Sequence, residues 1–313
     1  MTRAFVFPGQ GSQFIGMGKE LAQASEAAKL VFEEVDDALS QSLSKLMWDG
    51  EEDELRLTEN TQPALMATSM AVVRTLESES GKKIADLASH VAGHSLGEYS
   101  ALASVGAFSL ADTARLLKLR GQAMQRAVPV GEGAMAAILG PSFDTVLEIV
   151  EEASQGEVCV AANDNADGQV VVSGHKGAVE RAIEIAKAKG AKRGMLLPVS
   201  APFHCPLMQP AADEMRYALA DTQINEPALP VIANVLAAPV GNPDGIKNLL
   251  VEQVTASVRW RESVGSMSSL GITEIVEAGA GKVLCGLARR IDKSLSATNM
   301  QEMADIERFI EDL

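Results

Sequence analysis

Short runs of consecutive apolar residues alternate along this chain with longer stretches in which apolar positions recur every three or four residues. Phe5-Val6-Phe7, Ala88 to Ala92, Pro230 to Val235 and Thr273 to Gly279 have the length and continuity of buried strands. Leu65, Met66, Val72, Val73 and Leu76 share one helical face, and Thr61-Gln62-Pro63 supplies a helix start just ahead of them. Ser109-Leu110-Ala111-Asp112 resembles a capping box and opens a helix predicted to run to about Ala127. Further helices are predicted near Leu207 to Leu219 and from about Lys282. Strands alternating with helices imply an α/β fold with a mainly parallel, doubly wound sheet.

The segment from Val130 to Val199 has a different rhythm. Ala134–Leu139, Val158–Ala162, Gln169–Gly174 and Met195–Val199 read as strands, the middle two flanking a polar turn. Phe143–Ser154 and Ala178–Lys189 read as amphipathic helices. The order β-α-β-β-α-β is that of the ferredoxin-like split unit. The expected organisation is a large domain made of residues 1–128 and 200–313, interrupted by a small ferredoxin-like insert at 129–199. Pro129-Val130-Gly131 and Ser200-Ala201-Pro202 mark the two crossings.

Composition narrows the function. A chain of 313 residues, 47% hydrophobic and 22% charged, is long enough for one large domain or two modest ones. Its net charge of −15 argues against nucleic acid and anionic membrane surfaces as partners. The three cysteines, Cys159, Cys205 and Cys285, are widely spaced and form no C-x-x-C, which argues against disulfides and a structural metal site. The N-terminal apolar run is too short for a signal peptide and is cut by Pro8, and no stretch has the length of a transmembrane helix. A cytoplasmic, monomeric protein with no metal and no bound cofactor is expected.

The strongest chemical signal is Gly93-His94-Ser95-Leu96-Gly97, which fits the G-x-S-x-G nucleophile elbow between a strand and a helix. The turn lifts the Ser95 hydroxyl clear of the backbone, and the helix N-terminus offers free N–H groups to an oxyanion beside it. Two other glycine-rich stretches lack what their chemistry needs. Pro8-Gly9-Gln10-Gly11 has Phe14 where a dinucleotide loop needs its third glycine. Gly279-Ala280-Gly281-Lys282 lacks the leading glycine and the Ser/Thr of a phosphate loop.

A serine nucleophile needs a base, and the chain has four histidines. His90 precedes the elbow on its strand, where burial is expected, and His94 adjoins Ser95, so its side chain diverges. His175 lies in a turn of the insert, where a solvated role is expected. His204 sits in the proline-bracketed loop Pro202-Phe203-His204-Cys205-Pro206 at the return to the large domain, and is favoured as the base. Cys205, beside it, reads as a small buried thiol. Asp144, Asp164 and Asp167 are available as a third triad member, but none has a distinctive setting, which favours a Ser-His dyad oriented by a backbone carbonyl.

Several segments in order now point one way: Phe7-Pro8-Gly9-Gln10-Gly11-Ser12-Gln13, the elbow extended by Glu98-Tyr99-Ser100-Ala101-Leu102, Arg120-Gly121, Ala162-Asn163-Asp164-Asn165, Phe203-His204, and Glu277 to Leu284. Over nearly its whole length the chain resembles the malonyl-CoA:acyl carrier protein transacylase family of type II fatty acid synthesis. It resembles the acyltransferase domains of polyketide synthases more distantly. The resemblance implies an α/β-hydrolase-like core with a ferredoxin-like insert. It also implies Ser95 as nucleophile, His204 as base, the N–H groups of Gln10 and Leu96 as oxyanion hole, and the Gln253 carbonyl as the group orienting the base. Arg120 becomes the clamp for the malonyl carboxylate, a choice that sequence alone would not make over Arg115 or Arg126 on the same helix. Phe203 resembles the malonyl-selecting form, since a ring there leaves no room for an α-methyl group.

The expected substrates are malonyl-CoA and the phosphopantetheine thiol of holo acyl carrier protein. The carrier is acidic, so docking on this acidic chain requires a local basic patch, with Lys118, Lys192, Arg193 and Arg259 as candidates. Asn165-Ala166-Asp167-Gly168 lacks a proline common in the family, and Ala280 stands where proline is frequent. The alternatives are a polyketide-type acyltransferase, a serine esterase or thioesterase on the same elbow, and a non-catalytic carrier-protein scaffold.

Overall fold

The computed structural model describes residues 2–313. Its strands are β1 (Arg3–Phe7), β2 (His90–Gly93), β3 (Gly133–Leu139), β4 (Cys159–Ala166), β5 (Gln169–His175), β6 (Arg193–Leu196), β7 (Val231–Ala233), β8 (Ala238–Val240), β9 (Glu274–Ala278) and β10 (Ser296–Met300). They form a six-stranded sheet in the order β10-β9-β1-β2-β7-β8 and a four-stranded sheet in the order β4-β5-β3-β6. In the larger sheet every neighbouring pair is parallel except β7 and β8. The smaller sheet is antiparallel throughout.

The parallel strands are covered on both sides. Alternate residues of a strand point to opposite faces, so Phe5 and Phe7 pack with Val91, Val231 and Val276, while Ala4 and Val6 pack with Ala92, Ile232 and Ile275. Because β1, β2, β7 and β9 run the same way, the turns that follow them open on one edge of the sheet. Pro8, His94, Asn234 and Gly279 begin those turns, and the carboxyl edge of a parallel sheet is where ligands bind.

The smaller sheet buries Ala136, Ile138, Val170 and Val172 against the helices Phe143–Ser154 and Lys176–Ala188. Its other face turns Met135, Ala137 and Val171 toward the large sheet's carboxyl edge. The two sheets are joined through β4. The Val258 N–H donates to the Ala162 carbonyl at 2.9 Å and the Asp164 N–H to the Val258 carbonyl at 3.0 Å, while buried Asp164 pairs with Arg261 at 2.8 Å.

Several elements depart from the sequence reading. The helix expected from Thr61 begins at Thr58 and places Pro63 in its second turn. Asn60 and Thr61 do not cap it; their side chains donate to the Glu54 and Leu55 carbonyls of the preceding short helix, Glu52–Arg56. The capping box at Ser109 is half made. Ser109 Oγ accepts from the Asp112 N–H, but the Asp112 carboxylate takes the serine hydroxyl instead of its backbone N–H. Asn163-Asp164-Asn165, expected in a turn, is strand, because Val258 and Arg261 satisfy it from the large sheet. The last small-sheet strand ends at Leu196, two residues short of Pro198, which has no N–H for a ladder.

Candidate active site

The elbow is where β2 ends. A Cβ on Gly93 would overlap the Gly97 carbonyl, and one on Gly97 would overlap the Phe7 carbonyl, so both positions require glycine. The helix Gly97–Ser104 starts directly after the turn. Ser95 itself sits at φ 54°, in the left-handed region. A non-glycine residue held there costs about 1–3 kcal/mol and persists only where its surroundings fix it. Asn234, just beyond β7, supplies that fixing. Its Oδ1 accepts from the Ser95 N–H at 2.7 Å, and its Nδ2 donates to the Gly93 carbonyl at 2.7 Å.

His204 arrives on the loop that leads from the small sheet back to the large one, and it too is left-handed, at φ 56°. Its Nε2 lies 2.7 Å from Ser95 Oγ. Its Nδ1 lies 2.9 Å from the Gln253 carbonyl. Gln253 ends the helix Pro243–Gln253, so its carbonyl belongs to the last turn, which has no helical donor. A carbonyl can only accept, so Nδ1 carries the proton and the Nε2 lone pair faces the serine hydroxyl. Burial, and then the charge of Arg120, push the His204 pKa down to about 3, so the imidazole is neutral at physiological pH.

Arg120 is 2% exposed. Its Nη1 donates to Gln62 Oε1 at 2.7 Å, and its Nη2 donates to Gln253 Oε1 at 2.8 Å and to Ser95 Oγ at 3.2 Å. Its Nε has no partner. Among the described residues no carboxylate forms an ion pair with it. The other two arginines of its helix, Leu110–Ala127, are exposed and paired, Arg115 with Asp112 at 2.8 Å and Arg126 with Glu214 at 2.7 Å. A buried guanidinium whose hydrogen-bond partners are all neutral, with Glu98 acting on it only through space, is a site for a further anion.

These groups open into a cavity of about 340 Å³. Gln10, Leu96 and Phe203 line it, with Met124 and Met135 supplying apolar surface. Among the described residues neither the Gln10 N–H nor the Leu96 N–H has an acceptor. All seven site residues expected from sequence and resemblance thus meet at one place.

The other candidates are engaged differently, although His94 lines the same cavity. His94 Nε2 is bonded to Asn165 Oδ1 at 2.8 Å, with its ring against Trp260. His90 is half-buried rather than buried, because it heads its strand, and it meets Ser89 Oγ. The His175 ring is not left to solvent, since its Nδ1 accepts from the Val158 N–H at 2.9 Å. Cys205 is buried, and its thiol donates to the Pro202 carbonyl. Asp144 and Asp167 are exposed, and Asp164 is held by Arg261.

Sequence reasoning passed over Gln62, Asn234 and Glu98, whose carboxylate accepts from the Asn234 N–H and from Gln253 Nε2. Asn234 carried a usable signal, a polar residue at the carboxyl end of a buried strand. Glu98 stood inside the elbow segment. Gln62 had none beyond its place before Pro63.

A family model for the acyl transferase domain matches residues 4–307. The chain belongs to this family. A malonyl CoA-acyl carrier protein transacylase of Bacillus subtilis is 44% identical over 99% of this acyl transferase and 96% of its own length. The crystal structure of an acyl-carrier-protein-S-malonyltransferase from Bartonella henselae matches with a TM-score of 0.97 at 54% identity, covering 99% of each chain. A malonyl-transacylase solved in complex with its holo type II polyketide synthase acyl carrier protein matches at TM-score 0.96 and 42% identity, covering 100% of both chains. The structures agree with a mixed α/β fold built on one mainly parallel and one antiparallel sheet. No helix of this acyl transferase, among the described residues, is long and apolar enough to cross a membrane.

Proposed function

We propose that this acyl transferase moves the malonyl group of malonyl-CoA to the phosphopantetheine thiol of holo acyl carrier protein, through a malonyl ester on Ser95. The observation that carries this reading is the buried guanidinium of Arg120, with no carboxylate hydrogen-bonded to it, lying 3.2 Å from a serine hydroxyl that a neutral histidine already engages at 2.7 Å. An esterase needs no such cation, whereas malonate presents a carboxylate at the end opposite its thioester.

In the first half-reaction Ser95 Oγ attacks the thioester carbon and passes its proton to His204 Nε2. The C–S bond breaks as the tetrahedral oxyanion, held by the Gln10 and Leu96 N–H groups, collapses. His204 returns the proton to the departing CoA thiolate. Each such N–H is typically worth about 3 kcal/mol. The Gln253 carbonyl keeps the imidazole in its tautomer and steadies the imidazolium as it forms. In the second half-reaction the pantetheine thiol gives its proton to His204 and attacks the ester, and His204 passes that proton to the departing Ser95 Oγ, so kinetics are ping-pong. Phe203 lines the cavity beside the base, where its ring would crowd an α-methyl substituent.

The architecture read for this chain is an α/β-hydrolase-like core, residues 1–128 and 200–313, carrying a ferredoxin-like insert at 129–199. The antiparallel order β4-β5-β3-β6, with two helices on one face, supports the insert. Three buried free cysteines support a reducing, cytoplasmic setting. We take the working form as a monomer that needs no metal or bound cofactor.

Intact mass tests the chemistry. Incubation with malonyl-CoA should add one malonyl group, the S95A variant should add none, and holo carrier protein should remove the group. An adduct lost equally fast to water alone would favour a thioesterase.

The carrier surface has its own test. Of the four candidate cations, Lys118 is paired with Glu59 at 3.1 Å and Arg259 is engaged by Glu262. Lys192 and Arg193, at the exposed edge formed by β6, have no acidic partner among the described residues. The K192E/R193E double variant should raise KM for holo carrier protein roughly tenfold or more at low salt, with the rate of malonyl loading on Ser95 unchanged. Slower loading would remove those two residues from docking.

A further inference from the structure

Behind the reacting groups lies one buried carboxylate that the chemistry above does not use. Glu98 belongs to the first turn of the elbow helix and is 2% exposed. Its Oε2 accepts two hydrogen bonds, from the Asn234 backbone N–H at 2.9 Å and from Gln253 Nε2 at 2.9 Å. Those two residues hold everything else in place. Asn234 fixes the Ser95 N–H and the Gly93 carbonyl. Gln253 reaches in several directions at once: its side-chain Nε2 also donates to the Ser95 carbonyl at 3.1 Å, its Oε1 accepts from Arg120, and its backbone carbonyl accepts from His204.

We propose that Glu98 is a positioning residue: its Oε2 pins Asn234 and Gln253 to the elbow helix and so sets the nucleophile, the base and the carboxylate clamp in one register. The proposal rests on the roles read above for Ser95, His204 and Arg120.

Geometry gives the reason such a pin is needed. Ser95 and His204 both sit at positive φ, a conformation neither would keep unaided. They come from distant parts of the chain, and the contacts of Asn234 and Gln253 bring the two strained turns against each other. The Gln253 amide has a donor end and an acceptor end, and these are sorted by what they face. Its Nε2 goes to Glu98 and its Oε1 to Arg120, so the amide cannot flip without placing like groups together. A shift of about 1 Å in a reacting group can cost on the order of 100-fold in rate.

What Glu98 supplies is an acceptor oxygen at the right distance rather than a negative charge. Burial raises its pKa to about 7, so the neutral form is already within reach. A glutamine there keeps an acceptor oxygen at the same distance. An aspartate keeps the charge but withdraws the oxygen by one methylene.

The test uses the full chain as the variants E98Q and E98D, each assayed for malonyl transfer to holo carrier protein and for thermal midpoint. For E98Q we expect kcat within about threefold of the wild type, whatever happens to its midpoint. For E98D we expect kcat lower by roughly 10- to 100-fold, with KM for malonyl-CoA within about threefold. A purely structural role would instead make kcat follow the midpoint. Wild-type kcat in E98D, equal losses in both variants, or a loss confined to E98Q would each overturn the proposal. A wild-type protein that takes no malonyl group on Ser95 would show instead that the functional reading had failed, and the proposal would go with it.

Discussion

H204A should acylate Ser95 from malonyl-CoA roughly four to six orders of magnitude more slowly than the wild type, while keeping its fold. The loss is large because Ser95 Oγ has one proton acceptor in reach, His204 Nε2 at 2.7 Å. The measurement is the pre-steady-state rate of malonyl-enzyme formation, followed by mass. A rate within tenfold of the wild type would sink the base assignment. The pH dependence sharpens the expectation. A base works only when deprotonated, and the His204 pKa is pushed down from 6.5 to about 3. Acylation should therefore lack the usual falling limb as pH drops from 7 to 5. Stability should show what the rate does not. The unfolded chain protonates this histidine near 6.5, whereas the folded one resists until about 3. The unfolded state thus binds more protons through that window, and stability falls as pH is lowered across it. H204A should flatten that part of the stability profile.

The parts of this site that were legible in the sequence are the local ones. The elbow is five consecutive residues, and Gly93 is required by a contact inside them, with Gly97, although Gly97 itself is required by the distant Phe7 carbonyl. His204 is announced by prolines on either side of it. The central parallel strands are legible because burial on both faces leaves few polar positions, as in Phe5-Val6-Phe7 of β1 and Val231-Ile232-Ala233 of β7. What could not be read is set by contacts across long stretches of chain. Asn234 meets an elbow 139 residues away; its place at the carboxyl end of a buried strand marks it as unusual, but nothing in Ala233-Asn234-Val235 names its partner. The hydroxyl of Thr61 looked like a helix cap, and only tertiary structure shows it donating backward to Leu55. Asn163-Asp164-Asn165 has turn composition, yet it is strand because Arg261 and Val258 await it. β8 is obscured because it closes an apolar stretch, Val235 to Val240, that contains Pro239, and β10 has no apolar run at all. β10 is Ser-Ala-Thr-Asn-Met, held by its neighbour β9. The choice of Arg120 over Arg115 and Arg126 came from resemblance; burial and the absence of an acidic partner now give it a physical reason.

R120Q should lose malonyl transfer by roughly 30- to several-thousand-fold while acetyl-CoA becomes as good a donor as malonyl-CoA. The range follows from about 2–5 kcal/mol for a buried guanidinium pairing with a carboxylate that has no other cation to meet. The direction for acetyl follows from what Arg120 does when no carboxylate is present. Its Nη2 then donates to Ser95 Oγ at 3.2 Å, the atom that must act as nucleophile. Its charge also helps to depress the basicity of His204. A malonyl carboxylate draws the guanidinium to itself and offsets both effects, whereas an acetyl group does neither. The proposed wild-type discrimination then has two sources, attraction of the right substrate and a resting dyad held back by Arg120 until that substrate arrives. Removing the guanidinium eliminates the first and releases the second. Competition between the two acyl-CoAs, read as the ratio of malonyl to acetyl ester on Ser95, separates this from a structural role. If malonyl and acetyl loading fell together in R120Q, the arginine would be holding Gln62 and Gln253 in place and selecting nothing.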